Sequence, residues 1–253
     1  MARGSRKESR THLYHVVARG NNGETVFRRQ SEKQRLLFYM EETGREMPVE
    51  LFAYCIMDDH VHLLVRAELA VLSQYMHGIK TRYAMNYNIS NGRTGHVFQG
   101  RFESECLERE VRFWGCLRYI HNHPVQAGIS SEMLLYPYSS VQDYLRKTPN
   151  LIHPTARNVL RRQCKTHKEF LDFHDIADYH FFIDVKEEQQ KRKCIVLKEL
   201  LKNFLDSYQI LPGEFLLNPY LRKRFISEIH AKNPLSYRQI RETLELICLE
   251  VSF

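Results

Sequence analysis

The chain lacks the sequence features of membrane, secreted and zinc-thiolate proteins. Its apolar runs all fall short of the roughly 18 residues that a membrane span requires, and the basic N-terminus, MARGSRKESR, has no apolar segment behind it that would make a secretory signal. The six cysteines are scattered without a CxxC pair, which argues against a disulfide framework and against a cysteine zinc site. We therefore expect a cytoplasmic protein with reduced cysteines and no membrane partner.

The composition is that of a folded, basic protein. Hydrophobic residues make up 43% of the 253 residues and charged residues 26%, which is typical of globular domains. The formal net charge is +7 and the sequence pI is about 9.1. A basic chain favours a polyanionic partner but does not identify one.

Strand and helix patterns alternate in the order β-α-β-β-α-β-α up to about residue 145. The predicted strands lie at residues 12–20, 49–57, 60–67 and 95–107, and the predicted helices at 31–47, 71–88 and 108–123. Ser31 is the expected N-cap of the first helix, and Pro124 is expected to stop the third. This order predicts an α+β, ferredoxin-like split-βαβ domain, an antiparallel sheet with helices on one face.

A loop-like stretch, KTPNLIHPTARN, predicts a boundary near residue 150. We therefore divide the chain into a first domain at residues 1–149 and a helical domain at residues 150–253. The helical domain contains a long amphipathic helix at 184–205 and two helices around an NPLS turn. That last pair fits a DNA-binding helix-turn-helix and a plain helical hairpin equally well.

Two histidines interrupt the apolar run YCIMDDHVHLLV. On a strand, His60 and His62 share one face, while Val61 and Leu63 point towards the core. Two parallel imidazoles can bind a divalent metal if a third ligand comes from elsewhere. In RYIHNHP, Tyr119 and His123 are four residues apart and so share a helical face. Without this pair, structural histidines would be the commoner explanation.

Six motifs together resemble a known family. They are YHVVARGNN, AYCIMDDHVHLLV, MHGIKTRYAMNYN, GRTGHVFQGRF, LRYIHNHPVQAGI and YPYSSVQDYL, in this order. Over roughly residues 10–145 the chain is similar to the bacterial single-tyrosine HUH transposases, above all to the repeat-associated tyrosine transposases and their insertion-sequence relatives.

The resemblance implies a metal-dependent enzyme that cuts single-stranded DNA. His60 and His62 would be the HUH histidines and Tyr119 the nucleophile, forming a 5′-phosphotyrosine that a 3′-OH can reverse in strand transfer. His123 stands where the family usually has Asn or Gln as the remaining ligand of Mg²⁺ or Mn²⁺. His121 is an alternative ligand, but it faces away from Tyr119 on a helix. Relatives act as monomers or homodimers, and the expected location is the bacterial cytoplasm, in association with the nucleoid.

A DNA surface is also expected. Between Glu68 and Glu103 the sequence has no carboxylate, and its basic and aromatic residues suit single-stranded or hairpin DNA. The candidate contacts are Arg19, Asn21, Asn22, Lys80, Arg82, Arg93, Arg101 and Arg118. Two other interpretations stay open, a nucleic-acid-binding regulator that has kept the fold without catalysis, and a metallonuclease that uses activated water.

Overall fold

The computed structural model describes residues 6–146, 151–232 and 235–251, without the side chains of residues 249–251. The chain forms two compact units, Met1–Val185 and Lys186–Phe253. Helices that follow the boundary predicted near residue 150 pack with the first unit, so the compact division lies later in the chain. Whether residue 150 separates two functional domains stays a prediction.

Four antiparallel strands form the sheet of the first unit. They are β1 (Leu13–Arg19), β2 (Glu50–Ile56), β3 (His60–Arg66) and β4 (Glu103–Cys106). The spatial order is β2-β3-β1-β4, with β1 and β3 in the centre. Asp58 and Asp59 lie in the tight connection of the β2–β3 hairpin, as predicted. The last strand is shorter than expected, because residues 95–102 contribute only an isolated bridge between Gly20 and Phe98.

The described part of this unit contains six α-helices. They are α1 (Gln30–Arg45), α2 (Leu69–Ser90), α3 (Glu110–Gln126), α4 (Val141–Leu145), α5 (Pro154–Gln163) and α6 (His167–Asp175). The first begins one residue before the predicted cap, because the Arg29 backbone N–H is already bonded to the Glu32 carboxylate at 2.7 Å.

The predicted α+β architecture with an antiparallel sheet is confirmed, and helices pack on both faces of the sheet rather than on one. The prediction holds for α1 and α2, which cover Val16, Val61 and Leu63. On the other face, α3 packs against Ala53 and Leu64 in a second apolar core. The strands are buried on both sides, and each fully buried apolar side chain contributes about 1.5–3 kcal/mol to stability.

Pro124 lies inside α3 and does not stop it. A proline in the last turn removes only one helical hydrogen bond, and the helix continues to Gln126, where the Ala127 N–H bonds to the His123 carbonyl at 2.9 Å. His123 therefore keeps helical geometry, which fixes its position relative to Tyr119.

The second unit is helical, as predicted. Its helices are α7 (Lys186–Tyr208), α8 (Pro212–Leu217), α9 (Pro219–Lys232) and α10 (Tyr237–Val251). Residues 233 and 234 of the NPLS turn lie outside the described residues, and the helix-turn-helix interpretation stays a prediction. Nowhere in the described part of the chain does a helix combine the length and the apolarity that a membrane crossing requires.

Candidate metal and nucleophile site

The two histidines of β3 lie on the face of the sheet that α3 covers. His60 and His62 are 2% and 0% exposed, and their ring centroids are 4.9 Å apart. Alternation along the strand sends Val61 and Leu63 to the core on the opposite face. The predicted shared face of the two imidazoles is confirmed.

Helix α3 brings a phenol and a third imidazole to these rings. The rings of Tyr119 and His123, one helical turn apart, have centroids 5.3 Å from each other. His123 Nε2 lies 3.1 Å from His60 Nε2, and the Tyr119 ring centroid lies 5.7 Å from that of His62. The structure thus brings all four predicted residues together within one chain.

Asp184 is a fifth member of this cluster, and it was missed from the sequence. Its Oδ1 lies 3.3 Å from His62 Nε2 and 3.6 Å from His60 Nε2, and its Oδ2 lies 3.8 Å from His123 Nδ1. The Tyr119 hydroxyl donates a hydrogen bond to the same carboxylate. A lone acid in the aromatic stretch HFFIDV was the only sequence signal for it.

Asp184 reaches the site on the irregular segment 176–185, between α6 and α7. This segment lies directly against α3 at Gly115, where a Cβ would collide with the Asp178 carboxylate. Phe182 then packs on Tyr119 with ring centroids 5.1 Å apart. The close approach at Gly115 therefore determines where the segment crosses α3. One helical turn later, at Tyr119, the same segment brings Asp184 to the phenol.

The protonation states of the cluster are those that metal binding needs. Burial lowers the pKa of His62 to about 4 and lowers that of His123 well below its usual range. Burial alone would raise the pKa of Asp184, but the surrounding imidazoles hold it well below the ordinary value. At neutral pH His62 and His123 are thus neutral, with free lone pairs, beside an ionised carboxylate.

The donor atoms fit a divalent cation. One ligand atom from each of His60, His62, His123 and Asp184 lies within 4.8 Å of all the others, and all four residues are buried. Among the described residues, His62 Nε2 and His123 Nδ1 have no hydrogen-bond partner. Buried polar atoms are rarely left without a partner, and a shared metal ion would satisfy both.

His121, the alternative ligand, points away from the cluster. Its Nδ1 lies 2.7 Å from His174 Nε2 on α6, and its Nε2 lies 2.9 Å from the Ser140 hydroxyl. Both ring nitrogens are therefore engaged in a separate buried network that joins α3 to α6.

A basic groove runs beside the site along α2. It has a volume of about 610 Å³, and its lining contains cationic or ionisable side chains without a carboxylate. These side chains are Arg6, His77, Lys80, His96 and Arg101. Arg101 also lines a small cleft with Arg19 and Asp184, so the groove and the cluster are neighbours. Two predicted DNA contacts, Lys80 and Arg101, thus line the same groove.

Other predicted DNA contacts lie elsewhere. Asn21 and Asn22 form the turn after β1, with the Asn21 N–H bonded to the Val97 carbonyl at 2.9 Å. Arg82 forms an ion pair with Glu46, and Arg93 with Glu24, at the surface. These ion pairs partly neutralise Arg82 and Arg93, for which the sequence alone indicated no acidic partner.

Arg118, another predicted DNA contact, is buried and ion-paired in this structure. It is 8% exposed, it pairs with Asp178 at 2.9 Å, and its guanidinium lies over the Phe173 ring. The helical face that presents Tyr119 to the cluster turns its neighbour Arg118 towards α6 and the segment after it.

The chain is similar to transposases over its first half. Residues 8–123 match the family described as Transposase IS200 like. A Haemophilus influenzae protein described as a REP-associated tyrosine transposase is 28% identical over 111 residues, 40% of this chain. This chain spans only 63% of the length of that relative. The resemblance drawn from the six motifs is confirmed.

Two solved structures are also similar. One is a REP-associated tyrosine transposase bound to a REP hairpin, with a TM-score of 0.49 and 18% identity over 60% of this chain and 91% of that one. The other, from Deinococcus radiodurans, is described as a transposase and has a TM-score of 0.33 and 18% identity over 44% of this chain and 88% of that one.

Proposed function

We propose that the protein is a metal-dependent endonuclease and strand transferase for single-stranded DNA, a proposal supported by the match of residues 8–123 to the IS200-like transposase family. The observation that carries this proposal is the meeting of the Tyr119 hydroxyl with the Asp184 carboxylate inside a cluster of three buried imidazoles. A phenol bonded to a carboxylate among three imidazoles supports a role as nucleophile in phosphoryl transfer.

His60, His62, His123 and Asp184 would hold one divalent ion. When bound, the ion supplies positive charge that stabilises and orients the scissile phosphate. Imidazole nitrogens dominate the donor set, whereas Mg²⁺ prefers an octahedron of oxygen ligands. We therefore propose that Mn²⁺ supports the reaction better than Mg²⁺.

Tyr119 is the nucleophile in this proposal. Its Oη attacks phosphorus, forms the phosphotyrosine bond, and breaks the bond to O3′, which takes up a proton from water and leaves as a free 3′-OH. The phenolic proton, with an ordinary pKa of about 10, passes to Asp184, whose Oδ2 already accepts its hydrogen bond. The covalent bond keeps the phosphodiester energy, so another 3′-OH can reverse the step without ATP.

The DNA strand has a defined approach to this centre. Lys80 and Arg101 in the basic groove would contact phosphates, and Arg19 and Arg101 flank the cleft that leads to Asp184. Tyr119 is only 4% exposed. The segment with Phe182 and Asp184 therefore has to shift before a phosphate reaches the hydroxyl. The hairpin substrate is proposed from the family resemblance of the six motifs, and the relative described as a REP-associated tyrosine transposase supports a repeat DNA as the target.

The test is a covalent-adduct assay with hairpin oligonucleotides that carry single-stranded flanks. We expect a band in Mn²⁺ that resists denaturation when the strand is labelled at its 3′ end. A strand labelled at its 5′ end should instead give a shorter free fragment with an extendable 3′-OH. Tyr119→Phe should abolish the adduct and leave DNA binding unchanged.

Tyr136→Phe is the matched control, because the Tyr136 hydroxyl is buried in the same unit but bonds only to the Ile56 carbonyl at 2.6 Å. This variant should form the adduct normally. An undiminished adduct in Tyr119→Phe would reject Tyr119 as the nucleophile. Cleavage without an adduct would indicate activated water, and binding without cleavage would indicate a regulator.

A further inference from the structure

A second layer of polar residues stands behind the β3 histidines. His15 lies on β1, fully buried, with its ring stacked on that of His62 at a centroid distance of 5.2 Å. His15 Nε2 is 3.0 Å from His62 Nδ1. On its other side, His15 Nδ1 is 2.9 Å from the Oε1 of Glu105, its direct cross-strand partner on β4.

Glu105 is itself held in place by two donors. Arg112 on α3 donates to Glu105 Oε2 at 3.0 Å, and the backbone N–H of Ile183 donates to Oε1 at 3.1 Å. Burial alone would raise the pKa of Glu105, but the hydrogen bond from His15 and these neighbours lower it overall. The chain of contacts therefore ends on an ionised carboxylate, which can only accept hydrogen bonds.

Glu105 sets the direction of the hydrogen bonds behind His62. Because Glu105 can only accept, a neutral His15 carries its proton on Nδ1 and presents a lone pair at Nε2. His62 then donates from Nδ1 to that lone pair. A neutral imidazole has one proton, so His62 Nε2 is left as a free lone pair. This atom lies 3.3 Å from Asp184 Oδ1, but among the described residues it has no partner with hydrogen-bond geometry, so Asp184 does not compete for the His62 proton.

We propose that Glu105 and His15 are positioning residues that hold His62 in the tautomer with a free Nε2, and thereby set the affinity of the site for a divalent ion. Carboxylate and imidazole partners behind a metal-binding histidine orient its ring and raise its basicity, and removing them weakens metal binding about 10- to 100-fold. The proposal deepens the proposed function and rests on its metal site. It also makes a statement about the metal-free protein, which can be tested separately.

The first measurement is the tautomer of His62 in the metal-free protein, from the ¹⁵N chemical shifts of its two ring nitrogens. We expect the proton on Nδ1 in the native chain. In His15→Phe, which keeps a ring but offers no acceptor, the Nδ1-protonated form should no longer dominate. In His15→Gln, an amide oxygen can accept from His62 Nδ1, and the native tautomer should return.

The second measurement is Mn²⁺ affinity by calorimetry. His15→Phe should bind about 10- to 100-fold more weakly, and His15→Gln should recover most of the loss. His12→Gln is the control, because His12 also lies at the start of the first strand but contacts Glu68 outside the site. It should bind as the native chain does.

The outcomes separate the two proposals. Native Mn²⁺ affinity in a folded His15→Phe, or a native His62 protonated on Nε2, would overturn the positioning role. If His15→Phe does not fold, the His62 tautomer in the native chain and the Mn²⁺ affinity of His15→Gln still test the positioning role. A native chain with the expected tautomer but without Mn²⁺ binding would refute the metal site of the proposed function, and with it the role of His15 in metal affinity.

Discussion

The Tyr119 hydroxyl donates its hydrogen bond to Asp184, a residue 65 positions later in the chain. Tyr119 sits on a regular helix, whereas Asp184 sits on an irregular segment that is held to α3 by the Arg118–Asp178 ion pair. Tertiary packing therefore places the Asp184 carboxylate beside the Tyr119 hydroxyl. Both oxygens of Asp184 are within 4 Å of imidazole nitrogens, so one side chain can serve the metal ligands and the phenol together.

Asp184→Asn should slow adduct formation about 100-fold or more. The asparagine amide cannot accept the phenolic proton, and the substitution also removes the one negative charge among the four proposed metal ligands. DNA affinity should stay native, since Asp184 is buried below the groove. The measurement is the single-turnover rate of adduct formation in Mn²⁺. Asp172→Asn, at an exposed position of α6, is the control and should react at the native rate. A native rate in Asp184→Asn would remove this residue from the mechanism.

His123→Asn should shift metal preference towards Mg²⁺. An asparagine oxygen at this position replaces a nitrogen donor by the oxygen donor that Mg²⁺ prefers. We expect the ratio of adduct yield in Mg²⁺ to that in Mn²⁺ to rise at least severalfold. His153→Asn, outside the cluster, should leave the ratio unchanged. A ratio that falls, or stays constant, would argue that His123 is not a ligand.

The site positions that follow from the period of a single strand or helix were predictable from the sequence. Alternation placed His60 and His62 on one face, and the four-residue spacing placed Tyr119 beside His123. Both inferences use the geometry of a single strand or helix, which local sequence determines. The β-α-β-β-α-β order likewise predicted the sheet, and the strand order agrees with it.

Asp184 and His15, which were not predicted from the sequence, are placed by packing between elements. Asp184 has no periodic pattern around it, and only the close approach at Gly115 brings its segment to α3. His15 looked like an ordinary alternating strand position, since its role follows from its register beside β3 and β4. The single-face prediction failed for a similar reason. The strands are apolar on both sides, and the sequence does not say which face a third helix covers.

Acid should destabilise the protein through the buried pair His121 and His174. Burial lowers the pKa of His174 to about 4, with Arg118 opposing its charged form and the Phe170 carbonyl and Asp175 favouring it. Burial lowers that of His121 as well, helped by His174. The unfolded chain therefore binds more protons than the native one between about pH 6.5 and pH 4, so stability falls as pH falls through this window.

For His174 alone the decrease in stability reaches about 3 kcal/mol by pH 4. The measurement is urea unfolding of the metal-free protein from pH 7 to pH 4. His174→Gln should flatten the dependence, because glutamine does not titrate. His12→Gln, at a half-exposed position, should keep the native slope. An equally steep pH dependence in a folded His174→Gln would show that the protons bind elsewhere.

The basic groove should carry the salt dependence of DNA binding. Removing one cation that binds a phosphate should reduce the slope of log affinity against log salt by about 0.7 on single-stranded DNA. Lys80→Ala and Arg101→Ala should each show this reduction. Arg82→Ala and Arg93→Ala should change the slope less, because those cations are paired with Glu46 and Glu24. The reverse order of effects would place the strand on the other side of α2.

Lys80 adds a pH signature that the other cations cannot give. Its pKa is lowered to about 8, first by burial and then by the nearby Arg6. A lysine is charged only below its pKa, so between pH 7 and pH 9 the Lys80 ammonium should become neutral and the native protein should bind single-stranded DNA more weakly. Lys80→Arg keeps its charge throughout and should bind with the same affinity at both values. An equal weakening in both proteins would show that a different group titrates, and that Lys80 does not bind the strand.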